Sequence, residues 1–150
     1  MPKNASPKLT TGLKGSAEIT VGPQHTAPHI GSGYVKVLAT PVMVTLMEAA
    51  ALQALDGLLP DGYQTVGTRI DARHFAATPV GMRVVARAEV TKVDGRSITF
   101  NLVVEDERER IGEGTHERII INLARFDQRV EEKASGSAVN VSARKQNQAV

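Results

Sequence analysis

Three side chains of this 150-residue sequence have the types and spacing to do chemistry together: Thr40, Glu48 and His74. Glu48 falls about two turns into a stretch that is otherwise almost wholly apolar. A carboxylate placed there must be paired, hydrogen-bonded or shifted in its protonation. Taken alone, such a glutamate more often points to solvent or to a partner chain. His74 ends an alternating segment on the same face as Val66, Ile70 and Ala72. Taken alone, a histidine there is more often a satisfied core residue than a catalyst. Together the two read as a general acid/base pair converging on a helix–sheet boundary. Thr40 precedes Pro41, the pattern of a Thr N-cap with Pro at the first helical position. Its hydroxyl would lie beside free backbone amides, where the helix dipole favours developing negative charge, such as an acyl-transfer oxyanion. The same hydroxyl could simply cap the helix. Gly67 interrupts a strand pattern, the mark of a bulge or of close backbone approach to a ligand. Arg118 lies in a polar insert, residues 112–118, within an otherwise apolar strand. An outward-facing strand charge is the alternative reading.

Other chemistries lack their residues. The chain has no Cys, hence no disulfide framework, no thiolate metal site and no Cys nucleophile. There is no G-x-S-x-G elbow and no P-loop, and Gly31-Ser32-Gly33 lacks the third glycine of a dinucleotide fingerprint. His25 and His29 are four apart, but Pro28 and the surrounding loop composition argue against a helical metal pair, so no metal is expected. Lys and Arg total 18 against 16 Asp and Glu, a net charge of +2, and aromatics make up only 3%. Scattered charge with few stacking rings argues against a nucleic-acid partner. No apolar run approaches the ~20 residues of a membrane span. The first eleven residues lack the apolar region of a secretory signal, so the cytoplasm is the expected address.

These residues need elements to hold them. Residues 17–21 alternate as a short strand, and residues 22–33 form a loop rich in Gly, Pro and His. Residues 40–59 hold a helix that is apolar nearly all round, which predicts a buried helix, ended by Asp56-Gly57 and Pro60-Asp61-Gly62. The period then switches to two. Residues 64–74 place Val66, Thr68, Ile70, Ala72 and His74 on one face. Residues 83–93 place Val84, Ala86, Ala88 and Val90 on one face. After Asp94-Gly95, a hairpin signal, residues 97–105 do the same with Ile98, Phe100, Leu102 and Val104. Residues 110–123 read as a last long strand. The prediction is an α+β domain over residues 16–133, an antiparallel sheet wrapped around one buried helix. Residues 1–15 and 134–150 read as flexible tails. A single sheet around one helix leaves edges and an outer face, so a homodimer or dimer of dimers is expected.

Four segments carry a resemblance: residues 39–48 (ATPVMVTLME), 66–68 (VGT), 73–81 (RHFAATPVG) and 112–118 (GEGTHER). In order and spacing they resemble the fluoroacetyl-CoA thioesterase family of hot-dog enzymes, over nearly the whole domain. The resemblance implies a hot-dog fold and hydrolysis of a small acyl-CoA thioester to free acid and CoA, with no cofactor beyond the CoA of the substrate. It implies a catalytic group of Thr40, Glu48 and His74. It places Gly67 near the thioester carbonyl or attacking water, and Arg118 in support. Fluoroacetyl-specific members carry a longer, Phe-containing lid before the helix. Here the link between His29 and Thr40 is short, with Tyr34 and no Phe, which favours another acyl group and makes Tyr34 a substrate-binding candidate. Two rivals remain: an acyl-thioester hydratase or dehydratase on the same fold, and a non-catalytic acyl-CoA or small-ligand binder.

Overall fold

Alternation decides the sheet. In the computed structural model, which describes residues 8–136, Val84, Ala86, Ala88, Val90, Ile98, Phe100, Leu102 and Val104 are all buried, the faces expected from a period of two. The elements in chain order are β1 (Lys14–Thr20), α1 (Ala27–Ile30), α2 (Thr40–Ala54), β2 (Tyr63–His74), β3 (Arg83–Asp94), β4 (Ser97–Asp106), β5 (Arg110–Asn122) and α3 (Leu123–Ser135). The strands form one antiparallel sheet in the order β1-β3-β4-β5-β2. Its apolar face curls around α2, the hot-dog arrangement.

Helix α2 buries Met43, Leu46, Met47, Ala50, Ala51 and Ala54, one stripe at helical spacing. Burying Met43, Leu46 and Met47 contributes about 1.5–3 kcal/mol each. The helix packs chiefly on β1 and β3. Small residues allow a close approach there: a Cβ on Gly15 would collide with the Ala50 carbonyl and the Ala54 backbone nitrogen. The opposite face of α2 is not covered by its own chain. Val44 and Glu48 are half-buried, and Leu52 is 47% exposed. An apolar helix that its own chain half covers is therefore a correction to the fully buried helix expected from composition.

Four further differences have local causes. Thr40 is not the N-cap. Ala39 caps in extended conformation without a side-chain bond, and Thr40 already lies inside the helix. A register shift between Gly67 and Arg69 bulges β2. The bulge reverses the side-chain parity upstream, so Thr65 is buried and Val66 does not join Ile70 and Ala72 against the core. Ordered structure begins before residue 16, since Leu9 packs into the core and β1 starts at Lys14. At the other end β5 hands over to α3, capped by the Asn122 side chain accepting from the Arg125 backbone N–H at 3.1 Å. The parts of the expected tails at residues 1–7 and 137–150 lie outside the described residues. Among the described residues no helix is long and apolar enough to cross a membrane.

Candidate active site

The N-terminal end of α2 and the C-terminal end of β2 meet. Thr40 Oγ1 lies 2.8 Å from His74 Nδ1. Because the hydroxyl does not cap the helix, it is free for this bond. Backbone bonds fix the surroundings: Leu38 N–H donates to the Thr78 carbonyl, Ala39 N–H to His25, and Phe75 N–H to Ile111, each at 2.9 Å. His74 Nε2 is buried and has no hydrogen-bond partner among the described residues. A buried polar atom left unpaired costs about 1–3 kcal/mol, and such atoms in native proteins call for a reason. Burial also lowers the His74 pKa below the usual imidazole value, against an opposing pull from the Ala76 backbone, which favours the neutral ring. The pair borders an open depression of about 280 Å³, lined also by Tyr34, Val35, Leu38 and Phe75. Tyr34 stands at this rim fully solvent-exposed.

A second cluster forms further along the helix. A Cβ built on Gly67 would lie 3.2 Å from His116 Cε1 and 3.5 Å from both Arg118 Nη1 and Glu48 Oε1. Only a hydrogen at this position leaves the gap between carboxylate and guanidinium open. Arg118 points inward, 6% exposed, contrary to the outward alternative. Its Nε donates to Thr65 Oγ1 at 2.9 Å and Nη2 to the Thr65 carbonyl at 3.2 Å. Burial disfavours the guanidinium charge, and the Glu48 carboxylate opposes that. Yet no ion pair within 4.0 Å joins Glu48 to Arg118 or to any other cation among the described residues. The Glu48 carboxylate borders the gap and takes no hydrogen bond or ion pair among the described residues.

The expected residues thus form two groups. Thr40 and His74 touch, and Glu48, Gly67 and Arg118 surround one gap. The groups do not meet within one chain. Thr40 and Glu48 are eight residues apart, which on a helix is roughly 12 Å along the axis and about 80° around it. His116 belongs to the second group and was not singled out from the sequence. Its signal was there: it is two residues from Arg118 on the same strand, so it shares the buried face. His25 serves its own loop, with Nδ1 accepting from the Gly22 N–H at 2.9 Å, and His29 is exposed.

A family model described as fluoroacetyl-CoA-specific thioesterase matches residues 21–124. The fluoroacetyl-CoA thioesterase of Streptantibioticus cattleyicolor is 34% identical over 131 residues, 83% of this chain and 94% of that protein. A solved structure of a fluoroacetyl-CoA thioesterase superposes with a TM-score of 0.79 at 34% identity, covering 83% of this chain and 97% of the other. A Thermus thermophilus thioesterase superfamily member superposes at 0.77 with 29% identity, covering 85% and 96%. The match spans both side-chain groups and the elements that carry them, and the chain belongs to the fluoroacetyl-CoA-specific thioesterase family.

Proposed function

We propose that the protein hydrolyses small acyl-CoA thioesters to the free acid and CoA. The observation that carries this is the Thr40–His74 hydrogen bond at the start of α2, beside an open depression. Relatives of the same family are named for this activity. In the reaction an oxygen nucleophile adds to the acyl carbon, the C–S bond breaks, and CoA leaves with a proton. Glu48 supplies the oxygen chemistry: it takes the proton of an attacking water, or it attacks itself to give a mixed anhydride that water then hydrolyses to the free acid and the Glu48 carboxylate. Arg118 and the Gly67 backbone face the developing oxyanion. Thr40 and His74 carry the proton to the leaving sulfur. Tyr34 borders the acyl end of the depression. The link it stands on holds no Phe, so the preferred acyl group differs from fluoroacetyl. Coenzyme A enters as part of the substrate.

The reading requires two copies. The uncovered face of α2 carries Glu48 and Leu52, and β2 is a twelve-residue edge strand with no partner on its outer side among the described residues. Pairing this edge and this face with a second copy closes both. Antiparallel copies bring Thr40 and His74 of one chain toward Glu48, Gly67 and Arg118 of the other. We place this homodimer in the cytoplasm with its CoA substrate.

The test is free-thiol release across short, branched and aromatic acyl-CoAs. Thiol release is the expected result. Water addition to an enoyl-CoA without free thiol would make the protein a hydratase. Saturable binding without turnover would make it a binder.

A further inference from the structure

His116 uses both ring nitrogens inside the protein. Nδ1 lies 2.7 Å from the Arg69 carbonyl, and Nε2 lies 3.1 Å from Arg118 Nη1. A carbonyl only accepts and a guanidinium only donates. The proton is therefore on Nδ1, the lone pair is on Nε2, and the ring is neutral. Phe100 stacks on it, with centroids 5.9 Å apart and planes at 29°. The ring is 1% exposed. Arg118 in turn donates three of its five N–H groups, two to Thr65 and one to His116. Two remain, and Nη1 borders the gap over Gly67. The β2 bulge serves both partners: it turns Thr65 inward to clamp Arg118, and Arg69, just past it, anchors His116.

We propose that His116 is a positioning residue: in its Nδ1–H form it accepts from Arg118 and aims the remaining guanidinium donors at the gap between Gly67 and Glu48. This rests on the thioesterase reading for what occupies the gap. Protonating Nε2 would set donor against donor and cation against cation, releasing the guanidinium. The groups facing the ring are Arg118 on β5, Glu48 on α2, the Arg69 carbonyl on β2 and Phe100 on β4, with the Glu117 carboxylate acting from the opposite face of β5. Burial and Arg118 push the imidazole toward its neutral form, against the Arg69 carbonyl, Glu48 and Glu117.

His116→Leu keeps an apolar side chain against Phe100 but removes the acceptor. His116→Gln can return an acceptor near the Nε2 position. Misplacing a positioned group costs on the order of 100-fold. His116→Leu should lower kcat by about that factor with KM little changed, and His116→Gln should recover about tenfold of the loss. Unchanged kcat in His116→Leu, or equal losses in both variants, would overturn the proposal. Two readouts do not need activity. Nitrogen NMR of the wild-type protein should show the Nδ1–H tautomer, and an Nε2–H tautomer would overturn the proposal even if His116→Leu failed to fold. The Arg118 Nη1–H signal should be resolved in the wild type and in His116→Gln, and average out by guanidinium rotation in His116→Leu. If wild type releases no thiol from any acyl-CoA, the thioesterase reading fails, while the tautomer and the Arg118 signal still decide whether His116 holds the guanidinium.

Discussion

At the scale of single residues, the Thr40–His74 contact sets the expected pH behaviour. Burial depresses the His74 pKa from its ordinary value of 6.5. A neutral ring has a free lone pair to take up a proton and hand it on through Thr40 to the leaving sulfur, and a protonated ring does not. The fraction of competent enzyme therefore falls as pH drops through the folded-state value, which lies below 6.5. Stability follows the same sign. The unfolded chain binds more protons in this window, so stability is lost as pH drops below 6.5, and the buried neutral His116 adds to the loss. A pH profile of kcat/KM on a small acyl-CoA should show an acid limb centred below about 6.5, and a limb centred above that value would contradict the assignment. Thr40→Val and Glu48→Gln should each cut kcat by about 10²–10⁴-fold, with thermal denaturation showing the fold intact. These residues were legible in the sequence because each breaks its local pattern: an acid in an apolar helix, an imidazole on a core-facing strand, a glycine in a strand. His116 was not, because a histidine in a polar insert has no pattern to break until the strand's facing is known.

At the scale of elements, legibility followed burial. The β3 and β4 alternation survived into the fold over Val84 to Val90 and Ile98 to Val104 because every inward residue there is apolar, and the register shift between Val90 and Lys92 falls past the β3 run. β2 did not follow its simple parity. One extra residue at the bulge exchanges faces, and no local propensity in residues 66–69 announces that beyond a glycine. The N-terminal boundary failed for a related reason. Gly15 sits in a segment of Lys, Thr and Gly that composition assigns to a tail, yet the glycine is what lets β1 lie directly against α2. Gly15→Ala should push the strand off the helix, costing about 1–3 kcal/mol as overpacking does. Urea denaturation should register this as a lower midpoint at unchanged m-value. An unaffected midpoint would mean that β1 contributes little to the packing. α3 escaped the sequence reading because it buries none of its own residues. Its cap at Asn122 was the available signal.

At the scale of the whole molecule, the separation between the two side-chain groups has a direct consequence. Thr40 and His74 sit at one end of α2, and Glu48 with Gly67 and Arg118 sits about two turns away. In a site shared between two copies, Thr40→Val disables one half and Glu48→Gln the other. Each variant alone forms dimers in which both sites are broken. Mixed and allowed to exchange subunits in equal amounts, they form half heterodimers, and each heterodimer contains one site with native Thr40 and native Glu48. Thiol release should then return to about a quarter of the wild-type rate, because one site in four is whole. If the working site lay within a single chain, every chain in the mixture would carry a lesion and mixing would restore nothing. Leu52→Lys on the uncovered helix face supplies the complementary control. A charge buried in that contact should shift the protein from dimer to monomer in sedimentation velocity and remove thiol release together with the dimer. A fully active Leu52→Lys monomer would sink the shared site as surely as a failed complementation.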